Sequence, residues 1–272
     1  MIQDIYPHIF HNHYDPGKIA DEKSTVLHFN GNKILTRSGE YPDAGMLRIN
    51  NFDKLIYLFS IDDTDYYLCD EEIEYIPEGY EYTSIRELRF AGLPDGRSVF
   101  VAFTAHHLAA WYNASRYCGR CGAKTYHDKV ERAMRCDCGN VIYPRVSPAV
   151  IVAVRNGDRL LVTKYNRPGS YFALVAGFTE IGETLEETVR REVMEETGLK
   201  VKNITYYKSQ PWGIAGDILA GFYCDLDGDD TITMDSFELK LAEWREREDI
   251  ELQPDGYSLT NEMMKMFKEG IM

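Results

Sequence analysis

The chain has 272 residues, 44% apolar and 12% aromatic, enough to bury a core, so a disordered chain is excluded as the default. Its formal net charge of −14 argues against a broad electrostatic footprint on nucleic acid, and a polyanionic ligand would need cations to be held against it. No run of 18 apolar residues occurs and the first ten residues do not form a signal peptide, so a cytoplasmic protein without a membrane partner is expected.

Residues 1–112 carry no catalytic motif and are expected to form a mixed or mostly β scaffold. Leu55–Phe59 and Ser98–Phe103 read as strands, being aromatic or β-branched between polar turns, and Asn30-Gly31-Asn32 and Asp95-Gly96 read as turns. The acids Asp62, Asp63 and Asp65, then Asp70 to Glu74, suggest a solvated edge. His8, His11 and His13 suggest an exposed tail. His106 and His107 open a helical stretch through Trp111 and Tyr112, as packing or surface residues.

Residues 113–145 form a small module. Cys118-x-x-Cys121-Gly122 and, with fourteen residues between Cys121 and Cys136, Cys136-x-Cys138-Gly139 are two knuckles that can bring four sulfurs to one tetrahedral Zn²⁺. Four thiolates leave no open position for water, so the zinc would hold structure. The second knuckle has one spacer residue, which makes Cys138 the least secure ligand. Arg116, Arg120, Lys124, Lys129, Arg132, Arg135 and Arg145 make a basic island on an acidic protein, fit to meet phosphate or the protein's own acids.

Residues 146–272 read as a catalytic domain. Ala149–Val154 and Arg159–Thr163 make a hairpin around Asn156-Gly157-Asp158; Ile204–Tyr207, Leu219–Cys224 and Thr231–Met234 read as further strands; Met263–Lys268 closes with a helix. Leu185–Thr197 is a second helix, stopped by Gly198. Its apolar stripe runs Leu185, Val189, then positions 192 and 196, which are Glu192 and Glu196, with Glu195 beside them. Carboxylates on an inward face are costly unless cations neutralise them, and hard oxygen donors suit Mg²⁺ or Mn²⁺.

Gly177, Glu183 and Arg191-Glu192-Val193, then Glu195, Glu196 and Gly198, resemble the Nudix box in every spacing. The four-cysteine ribbon, the Tyr143–Pro148 link and Ser209-Gln210-Pro211-Trp212 narrow the resemblance to the NADH pyrophosphatase family, over roughly Trp111 to Trp244. It implies an α+β architecture: a Nudix α/β/α sandwich with a mixed sheet, preceded by a zinc ribbon and a mostly β, degenerate Nudix-like N-terminal domain, in a homodimer. The reaction implied is metal-dependent hydrolysis of NAD(H) to AMP and NMN(H).

By that resemblance the Ala176 carbonyl and Glu238 join Glu192, Glu195 and Glu196 as ligands of Mg²⁺ or Mn²⁺, and Glu131, Tyr143, Ser209, Gln210 and Trp212 contact the substrate. Glu195 reads equally as ligand or general base, Arg191 as an orienting ion pair, and Glu183 as outer-shell ligand or helix cap. The family's Pro-Phe-Pro-x-Ser after the tryptophan is replaced by Gly213-Ile214-Ala215-Gly216-Asp217, a looser loop with a carboxylate that would repel a diphosphate. ADP-ribose or another dinucleotide, NAD-capped RNA, and a non-catalytic nucleotide sensor are the alternatives.

Overall fold

The computed structural model describes residues 1–93 and 96–272, so the expected turn at Asp95-Gly96 lies partly outside the described residues. Two compact units emerge. One comprises residues 4–145 with the short segment 213–216; the other comprises residues 1–3, 146–212 and 217–272.

The first unit is built on a mixed sheet of six strands: β1 (Phe10–His11), β2 (Thr25–Asn30), β3 (Lys33–Thr36), β4 (Ile56–Ile61), β5 (Thr64–Cys69) and β6 (Glu81–Ser84), in the order β1-β4-β5-β2-β3-β6. A four-residue helix, α1 (Ile85–Leu88), precedes the long helix α2 (Arg97–Ala114). The expected strand at Ser98–Phe103 is thus the first half of α2. Val99, Phe100, Val101, Ala102 and Phe103 are all buried, so the run shows no polar face, and a short apolar run cannot separate a strand from an enclosed helix. Asn30-Gly31-Asn32 does turn between β2 and β3, with Gly31 at φ +60°. His8 pairs with Asp62 at 2.7 Å and His11 lies in β1. Three two-residue strands, β7 (Tyr126–His127), β8 (Met134–Arg135) and β9 (Val141–Ile142), form the small sheet that carries the cysteines.

The second unit centres on β10 (Ser147–Asn156), which pairs with β11 (Arg159–Tyr165) and β12 (Val175–Phe178) antiparallel and with β14 (Asp217–Leu226) parallel. The sheet order is β13 (Val201–Trp212), β14, β10, β11, β15 (Leu239–Glu246). Alternate residues of β10 face opposite ways, as the strand period requires. Val150, Val152 and Val154 pack with Val189 and Val193 of α3 (Leu185–Thr197), while Ile151 and Ala153 pack with Leu259, Met263 and Phe267 of α4 (Leu259–Lys268). The result is the expected α/β/α sandwich on a mixed sheet.

Thr231–Met234, expected as a strand, pairs with no strand among the described residues. It lies along the last turn of α3, where Thr233 N–H donates to the Thr197 carbonyl at 2.8 Å and Asp235 N–H to that of Glu196 at 3.0 Å. Helix C-termini leave such carbonyls unsatisfied, and this segment satisfies two of them. Among the described residues no helix is long and apolar enough to cross a membrane.

Candidate active site

Helix α3 begins with a capping box: Thr184 accepts from Glu187 N–H, and Glu187 accepts from Thr184 N–H at 2.7 Å. Glu183 therefore is not the cap. It clamps Arg191 instead, accepting from Nε at 2.6 Å and Nη2 at 2.9 Å, and also takes the Thr188 hydroxyl at 2.9 Å. The Arg191 guanidinium holds the Glu183 carboxyl down to about 2. The same guanidinium donates to Glu192 at 2.7 Å, to Glu195 at 3.0 Å and to the Phe178 carbonyl at 2.9 Å. One cation therefore sets the rotamers of three acids and ties α3 to β12.

Glu192 and Glu196 lie buried one turn apart, whereas Glu195 turns outward and is exposed. Burial raises the Glu192 carboxyl against the pull of Arg191. Both oxygens of Glu196 are buried without a hydrogen-bond partner, and burial, then the charges of Glu192 and Glu238, push its carboxyl up to about 8. Gly177 lies under this pair: a Cβ there would sit 2.0 Å from the Glu192 carboxylate, so only glycine lets the acid rest on β12. Glu238 arrives on the turn before β15, held by its carbonyl accepting from Asn166 N–H at 2.8 Å.

Tyr165 is a member that sequence reading missed. Its hydroxyl donates to the Ala176 carbonyl at 3.3 Å, and burial, then Glu196 and Glu192, raise its pKa. Nothing in the local sequence marks it, since its role comes from the pairing of β11 beside the box. The Thr184-x-x-Glu187 cap is a second feature the sequence reading passed over, offering Glu183 instead, although the Thr-x-x-Glu spacing could have found it.

The four cysteines converge. Their sulfurs lie within 4.8 Å of one another, with Cys118–Cys138 at 3.7 Å and Cys121–Cys136 at 3.4 Å. Gly122 at φ +74° and Gly139 at φ +84° make the two knuckle turns, so the one-residue spacer still delivers Cys138. The Arg120 backbone N–H on Cys118 helps hold that thiol down to about 6.

Of the residues expected at the substrate, Tyr143 and Glu131 are joined by a 2.8 Å hydrogen bond, both exposed, while Trp212 is half-buried and Ser209 exposed in β13. Gln210 is different. It is fully buried, its carbonyl oxygen accepting from Leu259 N–H at 2.7 Å and its amide donating to the Tyr257 carbonyl at 2.7 Å and to Gln3 at 3.3 Å. An amide so engaged supports the Ser258-capped start of α4, with both its donors spent and one acceptor lone pair left. The glycines after Trp212 are not slack either. A Cβ on Gly213 would lie 2.0 Å from the Phe103 carbonyl oxygen, and the Gly213 carbonyl sits 3.2 Å from His106 Nδ1. Asp217 is buried at the start of β14.

The family model of the NUDIX domain matches residues 145–267. This part of the chain is a NUDIX domain. Over 149 residues the chain is 43% identical to a Shigella flexneri protein named NAD-capped RNA hydrolase NudC, and 42% identical to the protein of that name in Escherichia coli (strain K12 / DH10B). The matched part is 54% of this chain and 58% of each relative, so the chain spans somewhat over half the length of the curated relatives it matches. A solved NUDIX hydrolase from Nitrosomonas europaea is 18% identical with TM-score 0.49, covering 57% of this chain and 91% of that one. The NUDIX domain holds α3 and its acids; the four-cysteine cluster precedes it.

Proposed function

We propose that the chain is a divalent-metal-dependent hydrolase that splits the pyrophosphate bond of NAD(H), giving AMP and NMN(H). The observation that carries this reading is Glu196: two buried, unpartnered carboxylate oxygens beside Glu192 and Glu238 are the electrostatic complement of a divalent cation. Glu192, Glu196, Glu238 and the Ala176 carbonyl would hold Mg²⁺ or Mn²⁺, with Glu195 at the solvent side. Bound there, the ion neutralises phosphate oxygens and lowers the pKa of water.

The protein's own residues supply orientation. Arg191 fixes Glu192 and Glu195 and stays an ion-pair partner, because its donors are already spent on acids and on the Phe178 carbonyl. Glu195, exposed and bonded to Arg191, would serve as a further ligand or accept a proton from water. The resemblance assigns substrate contacts to Ser209 and Trp212, and to Tyr143 and Glu131, which a 2.8 Å hydrogen bond joins. The cysteine cluster fits zinc: bonds of about 2.3 Å in a tetrahedron give sulfur–sulfur edges of about 3.8 Å, close to the 3.7 Å and 3.4 Å found. Four thiolates of this kind persist in a reducing cytoplasm. Two copies are expected to associate, as the resemblance implies, which sedimentation would check.

The test is turnover of NADH, ADP-ribose and NAD-capped RNA with Mn²⁺ by wild type and Glu196→Gln. NADH should be cleaved to AMP, and the variant should lose roughly two orders of magnitude or more, the scale of a lost electrostatic group. Tight NAD(H) binding without AMP release would make the protein a sensor instead. The name of the relatives favours a second substrate with the same chemistry, the NAD cap at an RNA 5′ end.

A further inference from the structure

The first unit carries a solvent-open cleft of about 730 Å³ that the acids of α3 do not line; every lining residue falls between Tyr14 and Met134. That volume lies within the range of small-molecule pockets, about 300–1,000 Å³. Its inner surface includes the buried rings of Tyr57 and Tyr112 and the side chain of Met134, with the half-exposed ring of Tyr126 nearer the solvent.

The charges are unevenly spent. Lys18 pairs with Asp65 and lies over the Tyr57 ring at 4.8 Å, Lys54 pairs with Glu71 at 2.7 Å, and Arg116 with Asp70 at 3.3 Å. Lys124 lines the same cleft with no ion pair among the described residues, and so does the carboxylate of Asp53. The Tyr57 and Tyr112 rings are already covered, by Lys18 and by Trp111 and His127, so the open aromatic face is that of the half-exposed Tyr126; beside it stand one ammonium without an ion pair, Lys124, and the carboxylates of Asp53 and of Asp15, which accepts only from Gly17 N–H. Base stacking on such a ring is tolerant of base identity. One free ammonium suits a single phosphate group, whereas a diphosphate would bring further charge toward the cleft's four acids. Asp53 can accept from sugar hydroxyls.

We propose that this cleft is a second ligand site, for a nucleoside monophosphate, with the base stacked on Tyr126 and the phosphate on Lys124. The assignment does not rest on the reaction proposed above. In the full-length, zinc-loaded protein, titration calorimetry with AMP, in buffer without added Mg²⁺ or Mn²⁺, should show saturable binding. Lys124→Glu should weaken it about tenfold or more, since a lost charge-assisted contact is worth at least a decade. Tyr126→Ala should weaken it less, and Glu196→Gln should leave it unchanged. Adenosine should bind wild type as weakly as AMP binds Lys124→Glu. Lys124→Glu lies on an exposed side chain, and an unchanged far-ultraviolet spectrum and melting temperature would show that the variant is folded. The proposal is overturned by AMP binding that Glu196→Gln abolishes and Lys124→Glu spares, by inorganic phosphate binding as tightly as AMP, or by no binding of AMP at all.

Discussion

Glu196 carries a charge whose cost depends on what else is present. Its carboxyl is pushed up to about 8 in the folded chain, against about 4.5 when unfolded. Between those values the metal-free folded state keeps a proton that the unfolded state has released, so stability is fully present below the unfolded value and falls as pH rises toward 8. Thermal melts in chelator should show this loss, on the order of a few kcal/mol across the window, and Glu196→Gln should flatten it. Mn²⁺, which takes only the ionised form, should reverse the slope. Gly177 makes a second prediction at the same scale. Gly177→Ala puts a Cβ where the Glu192 carboxylate now rests, so turnover should fall by about tenfold or more while the far-ultraviolet dichroism stays unchanged. Glu192 and Glu196 were legible because a helical period turns spacing into a face. Gln210 was not, because its burial depends on Tyr257 and Leu259, which are close only after folding.

Among the elements, α3 was readable from its run of helix formers and from Gly198, which lies in the left-handed region at φ +72°; the box at Thr184, which sets its start, was passed over. Thr184→Ala removes the cap and should cost about 1 kcal/mol, seen as a fall of a few degrees in melting temperature. Only the second half of α2 was readable, as the helical stretch from His106 through Tyr112; its first half, Ser98–Phe103, is an apolar run closed in by neighbours, with no period to betray it. The strand β15 escaped for the opposite reason. Leu239–Glu246 is rich in charge, and its pairing with β11 over Arg159–Tyr165 holds it in place. Thr231–Met234 has strand-like composition, but its Thr233 amide, with that of the following Asp235, goes to the end of α3, which brings the chain round to Glu238.

For the molecule as a whole, charge sets the balance between the two substrate readings. A chain of net charge −14 can hold RNA only through local basic residues, so cleavage of NAD-capped RNA should weaken as salt rises from about 50 to 200 mM while NADH cleavage changes little. The ribbon offers an independent check. Cys138→Ser should lower the bound zinc measured by atomic absorption, because the fourth sulfur completes the cluster.

The glycine after Trp212 limits what can be engineered here. A carbonyl of α2 already occupies the space where any β-carbon at position 213 would go, and proline has one too. Grafting the five-residue Pro-Phe-Pro-x-Ser stretch of the related enzymes onto this chain should therefore fail as a simple exchange of letters. Successful chimaeras would have to import the helix bearing Phe103 together with the loop, as a matched pair.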